Sequence, residues 1–318
     1  MGLIRRCLRS GPIRRLGRAV GVAFAVLCIA FALIRLIPGD PVVLLLGDQA
    51  TPEQVAEYRA VLGLNGSLPE QFVRYVWGVL HGDLGRSLVT RLPVTDTIAR
   101  TLPVTLWLIG VTLVLGTLAA VPLALAAAAY RRTWFGDAFG IVSSVLLAMP
   151  VFLSALVAIL VFSIALGLAP VAGYVDSFPD NLHYLWLPAA VLCGVLVPVF
   201  ARVLGSSIIG TLREEFVETA VIRGLPRHLL VWRYLLRPSL APTIGLLGYV
   251  VGQLLGAAVI VEIIFGLPGI GTELINAVLG RDYPLVQGIV FVFGLLVVVV
   301  SYLADLLSRL VDPRTGNW

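Results

Sequence analysis

VTLWLIGVTLVLGTLAAVPLALAAAA, the stretch from Val104 to Ala129, decides the fold. It carries no charged side chain, and at about 1.5 Å per helical residue it is longer than the roughly 20 residues that cross a hydrocarbon core of about 30 Å. Working outward, five more runs come close to that length. The first, Ala19 to Ile37, is broken only by Arg35, whose long side chain can reach back toward the headgroups. Another lies in the uncharged stretch from Ala138 to Val175, which exceeds one span and must include boundary or re-entrant backbone; its core is placed at Ile141 to Leu166. Tyr184 to Phe200, Ser239 to Val261 and Pro284 to Ala304 complete an expected set of six spans.

Composition agrees. Of 318 residues 59% are hydrophobic and only 13% charged, against about 25% charged in a soluble domain; the mean hydropathy is +0.98. The expectation is an all-α membrane protein. All 23 basic residues are arginine, which removes a phosphate-loop lysine, a Schiff-base lysine and a Ser-Lys dyad at once. Cys7, Cys28 and Cys193 are too scattered for a disulfide framework or a CxxC site, and His81, His183 and His228 give no zinc-ligand spacing. No catalytic, cofactor-binding or metal-ligating residue is therefore assigned. The net charge of +5 is concentrated at the ends of apolar runs, so it reads as a signal for orientation beside membrane lipid and not as a nucleic-acid surface.

Arginine placement predicts that orientation. Arg5, Arg6, Arg9, Arg14, Arg15 and Arg18 precede the first span; Arg131 and Arg132 follow the second; Arg202, Arg213, Arg223, Arg227, Arg233 and Arg237 lie between the fourth and fifth. These flanks are expected in the cytoplasm, with both termini there. Asp176 and Asp180 have no basic neighbour, and Glu262, Glu273 and Asp282 face a single Arg281, as expected of outer segments. The Arg-rich start followed by Ala30-Phe31-Ala32 also resembles a secretory signal, but the apolar run continues through Leu33, Ile34, Leu36 and Ile37, so the segment is read as a retained anchor.

The outer loop, residues 38–103, has local order of its own. Thr51-Pro52-Glu53-Gln54 is a capping-box start with proline at the first helical position, and Val55, Tyr58 and Leu62 share one face of the helix that Gly63 ends. Gly63-Leu64-Asn65-Gly66 reads as a turn before a second helix over Pro69 to Leu80. No low-complexity linker divides the chain, so residues 1–318 are read as one domain.

Function classes can be thinned before any likeness is invoked. An ion-coupled transporter needs ionisable groups at membrane depth, and Glu262 and Asp305 stand at span ends. An intramembrane protease needs a nucleophile with a partner. Ser206 and Ser207 have no histidine in a matching span, and the Gly-Asp pairs, such as Gly82-Asp83, fall in loops. The informative segment is the expected cytoplasmic loop, residues 202–238; from Leu212 on into the start of the fifth expected span the chain reads LREEFVETAVIRGLPRHLLVWRYLLRPSLAP. Helix-forming residues from Leu212 to Arg223 precede Gly224 and Pro226, so one helix stops there and another begins near Pro226. Two readings fit: a lever presented to a partner, or an amphipathic helix on the inner leaflet held by Arg213, Arg223 and Arg227.

Glu218-Thr219-Ala220, three residues, then Gly224 resembles the EAA loop of ABC-importer permeases, and EFVETAVIRGL with Pro242 beyond it is similar to the form in the dipeptide, oligopeptide and nickel group. Further blocks resemble that family in order along the chain. They are Arg35 to Pro41 (RLIPGDP), Gly82 to Ser87 (GDLGRS), Leu102 to Leu106 (LPVTL), Pro268 to Gly271 (PGIG), Arg281 to Pro284 (RDYP) and Asp312 to Arg314 (DPR). The long first loop resembles the B-type subunit of a dipeptide importer. Departures are Glu218 where these permeases often carry arginine, Val221-Ile222 for a more polar pair, Tyr234 for histidine, and Pro238 inside the second cytoplasmic helix.

The resemblance implies a type I importer permease fold with six helices, in the inner membrane of a bacterium. It implies a second, C-type permease subunit, two ATPase subunits that bind ATP and magnesium, and an extracytoplasmic substrate-binding protein. Glu218, Thr219, Ala220, Arg223, Gly224 and Arg227 would then form the ATPase-coupling piece, and Glu262, Pro268, Gly269 and Gly271 are candidate gating or pathway residues. Gly269-Ile270-Gly271 reads as a turn, since no strand precedes it as nucleotide binding would require. Di- and oligopeptides are the expected cargo, with nickel or haem-like ligands as alternatives. Gly245, Gly248, Gly252, Gly256 and Ala257 would let helices approach closely, although general membrane packing is the plainer account.

Overall fold

The computed structural model describes residues 11–35, 42, 51–61 and 65–311. Leu36 to Pro41, Leu62 of the first expected loop helix, Gly63 and Leu64 of the expected turn, and Asp312 to Arg314 lie outside them. The described residues are mostly helical and hold no strand; Arg86 and Pro93 form an isolated antiparallel bridge. In chain order the helices are α1 Gly11–Arg35, α2 Pro52–Val61, α3 Leu68–Leu80, α4 Val94–Ala129, α5 Trp134–Ala148, α6 Val151–Ala158, α7 Asn181–Thr211 and α8 Glu215–Ile222. They continue with α9 Arg227–Leu229, α10 Arg237–Gly245, α11 Leu247–Phe265, α12 Ile270–Leu279 and α13 Tyr283–Val311, with π-helical turns at Ile159–Ala165 and Leu230–Leu236.

Among the described residues, α4, α7, α11 and α13 are each long and apolar enough to cross a membrane. The expected third span is not a straight rod. Met149-Pro150 separates α5 from α6, and the two halves meet at 103°. Pro150 has no amide hydrogen to continue the ladder and sits instead just ahead of the new helix, where none is needed. Counted as one bent span, the pair makes a fifth. The expected first span falls in α1, whose described apolar stretch is Val20–Ala32.

The chain divides into two compact units, residues 1–104 with 269–298, and residues 105–268 with 299–318. In the first, Val94 and Ile98 of α4 pack with Ile270 and Ala277 of α12 and with Leu285 and Ile289 of α13. Gly288 makes this possible, since a Cβ there would lie 2.5 Å from Val94. A buried carboxylate fixes the loop ahead of α4: Asp282 accepts the Ser87 hydroxyl and the Leu88 amide, the latter at 3.1 Å. Thus GDLGRS and RDYP, 195 residues apart at the bond between them, are two halves of one joint.

The second unit is built around α7. Gly116 of α4 faces Leu196, and a Cβ at Gly205 would lie 3.6 Å from the Ala124 carbonyl oxygen. The helix runs past Arg202, where the sequence suggested a span end, to Thr211; the Arg202 guanidinium donates to the Gly140 carbonyl at 3.1 Å and to Ser144 Oγ at 2.8 Å. In α11 a Cβ at Gly248 would lie 2.8 Å from Ser301 Cα, whereas nothing lies within 4 Å of such an atom at Gly256.

Candidate functional site

The loop between α7 and α11 folds as the sequence predicts, with one adjustment. Leu212 to Glu214 form turns, so the short helix starts at Glu215 and not at Leu212. Val217 and Ala220 are its buried residues, each 3% exposed. Phe216 meets Tyr234 with ring centroids 6.4 Å apart, which seats α8 on the return segment. The Thr219 hydroxyl is satisfied inside the helix by the Glu215 carbonyl at 2.9 Å. Glu218, Arg223, Gly224 and Arg227 are all exposed.

At its end Gly224 takes φ +69°, the Gly224 amide donates to Val221 O at 2.9 Å, and the Leu225 amide donates to Ala220 O at 3.3 Å. These paired bonds are the Schellman termination, which satisfies carbonyls the helix would otherwise leave open and needs a residue that tolerates the left-handed region. Beyond the turn Pro226 caps α9, and an open groove is lined by Arg227, His228, Leu229, Val231 and Trp232. Ile222 is 86% exposed and Trp232 71%. Large apolar groups bared between arginines at a helix end are the anatomy of a contact surface. The return segment is anchored from behind by buried Leu235 and Leu236 and by the Ser239 hydroxyl, 3.1 Å from Thr211 Oγ1.

The second group of candidates lies where α11 ends. Glu262 stands near the end of α11, is fully buried, and its carboxylate accepts the Thr105 hydroxyl of α4. Burial of a carboxylate is tolerated where hydrogen bonds replace its water. Gly266 at φ +60° terminates α11, with Leu267 N donating to Glu262 O at 2.8 Å. Pro268 is exposed, Gly269 caps α12, and Gly269 and Gly271 are buried. The coupling candidates lie on one short segment; Glu262 and Pro268 belong to the second unit, and Gly269 and Gly271 open α12 in the first. Sequence reasoning assigned no role to Thr105, Ser87 or Asp282. Each stood inside a block of family resemblance, and a hydroxyl residue opening an apolar run was the available signal for Thr105.

The family described as binding-protein-dependent transport system inner membrane component matches residues 120–317, and the N-terminal membrane component of the same systems matches residues 11–109. The chain belongs to this family. It is 37% identical over 326 residues to the di/tripeptide transport system permease protein DppB of Pseudomonas aeruginosa (strain UCBPP-PA14), covering 95% of this chain and 97% of that one. It is 32% identical over 329 residues to the dipeptide transport system permease protein DppB of Escherichia coli (strain K12), with the same coverage. The protein is thus a multi-pass membrane component of a binding-protein-dependent transport system, and the two matched regions account for nearly all of its length.

Proposed function

We propose that this chain is a non-catalytic permease subunit of an ATP-driven ABC importer of di- and oligopeptides, coupled to its motor through α8 and α9. The observation that carries the reading is the exposed end of α8, where Ile222, Arg223 and the Gly224 turn are followed by exposed Arg227 and Trp232. Among the two readings of this segment, the lever is favoured over an inner-leaflet helix because α8 is seated on its own return segment and ends in a rigid turn. A partner ATPase that grips this end would transmit its closure through the return segment to α10 and α11. Paired with a homologous C-type subunit, the chain would move between inward-open and outward-open packings, taking cargo from an extracytoplasmic binding protein.

That the two relatives are a dipeptide and a di/tripeptide permease supports a peptide cargo. Arginine placement supports cytoplasmic termini and an outer loop at residues 38–103, and membership of an inner-membrane transport family supports a bacterial inner-membrane location; one permease domain of six spans is part of the same proposal. ATP and magnesium belong to two partner ATPase subunits, since this chain has no lysine for a phosphate loop.

Reconstitution in liposomes tests the whole reading. Peptide uptake is expected to need ATP, this subunit, the second permease, both ATPases and the binding protein, and to fail when any one is omitted. Uptake by this subunit alone under a pH gradient would overturn the ABC mechanism. Uptake of a nickel complex or haem in place of peptides would leave the architecture and change the cargo.

A further inference from the structure

Helix α3 carries more apolar surface than a loop helix needs. Val73, Trp77 and Leu80 follow one another at helical spacing and are 66%, 66% and 73% exposed. Glu70, Arg74 and His81 lie along one flank of that stripe. On the other side Phe72 meets Phe31 and Phe24 edge-on, with ring centroids 5.0 and 6.0 Å apart, and Tyr75 tilts against Phe31 at 5.9 Å. Phe24 and Phe31 are both in α1, seven residues or about 10 Å apart along its axis. Phe72 touches both, so it sits beside the stretch between them and not beyond its end. That stretch lies inside the apolar segment Val20–Ala32. Its neighbours Val22 and Ile29 are 52% and 59% exposed in the described chain.

We infer that α3 is an interfacial helix, with Val73, Trp77 and Leu80 in contact with lipid. Its Phe72 side is strapped to α1 at membrane depth, its charged flank is directed to water, and the stripe between continues the bare apolar surface of α1. Lipid is the occupant this continuity selects. A stripe without a charged side chain and carrying an indole matches the chemistry of the boundary between headgroups and acyl chains. Water would have to solvate three large apolar side chains in a row, which folded surfaces avoid. This goes beyond the transport reading, because the position of α3 does not depend on the cargo or on the motor.

The test is site-directed spin labelling of the assembled complex in lipid nanodiscs, with Cys7, Cys28 and Cys193 replaced and single cysteines introduced by Val73→Cys, Trp77→Cys, Glu70→Cys and Arg74→Cys. Relaxation by oxygen is expected to exceed relaxation by a water-soluble nickel chelate several-fold at positions 73 and 77, with the order reversed at 70 and 74. If a label at 73 prevents assembly, Leu80→Cys reports on the same stripe. Chelate-dominated relaxation at 73, 77 and 80 would place the stripe in water and overturn the proposal. Exclusion of both reagents with an immobilised label would show a protein partner covering it and would overturn it equally. None of these readouts requires ATP, cargo or binding protein, so a failed transport reconstitution and a failed interfacial assignment are separate results.

Discussion

The segments ending at Gly224 and Gly266 share one backbone device and are finished in opposite ways. Each glycine is left-handed, at φ +69° and +60°. In each, the next amide reaches back to the residue five before it, Leu225 to Ala220 at 3.3 Å and Leu267 to Glu262 at 2.8 Å. After Gly224 come exposed Pro226 and Arg227; after Gly266 come buried Leu267, Gly269 and Ile270. The acidic residues differ in the same sense, Glu218 being exposed and Glu262 fully buried. The same termination therefore ends an exposed segment, the one proposed above as the ATPase contact, and a segment whose side chains are already buried. Backbone geometry alone does not distinguish the two; side-chain burial does.

The largest expected effect comes from treating the two acids alike. Glu262→Ala removes the acceptor of the buried Thr105 hydroxyl and leaves a void, and the two together should cost about 3 kcal/mol or more. A lowered thermal midpoint and reduced yield of the assembled complex would register it. Glu218→Ala should change stability by no more than about 0.5 kcal/mol, as exposed substitutions do. Its expected effect is on ATP hydrolysis coupled to transport. Equal loss of assembly in the two variants would erase the contrast between the segments.

A smaller effect is expected at Gly224. Valine there must hold a β-branched side chain at φ +69°, a strain of about 1–2 kcal/mol. The space is open, with nothing within 4 Å of a Cβ, so the penalty is backbone strain and not a clash. Gly224→Val should leave the assembled complex intact and reduce ATP-driven uptake, while Gly224→Asn, which tolerates this conformation better, should fall between. Wild-type uptake by the valine variant in proteoliposomes would remove the coupling role from this turn.

These contrasts also explain what the sequence could reveal. Charge-free runs located α4, α7 and α13 because lipid imposes a minimum apolar length; the run Ser239 to Val261 is instead divided at Leu246 between α10 and α11, and only α11 is long and apolar enough to cross. Gly224 with Pro226 marked a helix end because both act locally. The Thr51 box was legible for the same reason: Thr51 N donates to Gln54 Oε1 at 3.0 Å and Gln54 N to Thr51 Oγ1 at 3.3 Å. Hydropathy has no direction, so it could not show that the uncharged stretch from Ala138 turns by 103°. Nor could spacing pair Thr105 with Glu262, 157 residues away. The buried ties are long-range, and the exposed candidates on α8 were readable because their neighbours are sequential.

The smallest expected effect concerns a third helix with the same termination. α3 ends at Gly82, φ +78°, with Asp83 N donating to Gly78 O at 2.8 Å, and its start carries a Ser67-x-x-Glu70 signature that the sequence displays as plainly as the Thr51 box. Glu70 Oε2 accepts the Ser67 amide at 2.9 Å. That backbone bond, then the Ser67 side chain, hold the Glu70 carboxyl below its usual value of 4.5, with Arg74 adding a weaker pull. A carboxyl lowered on folding stabilises fully above its unfolded value and ceases to do so as pH falls through its folded one. Glu70→Gln keeps an acceptor for the Ser67 amide but loses the charge. First-turn amides of α3 should therefore exchange faster in the variant than in the wild type at neutral pH. That gap should close as pH drops below 4.5 toward the folded value, where the wild-type side chain is also neutral. A gap that stays constant across the range would mean that the start of α3 is held by packing on α1, as its end is held by Gly82, and owes nothing to the charge on Glu70.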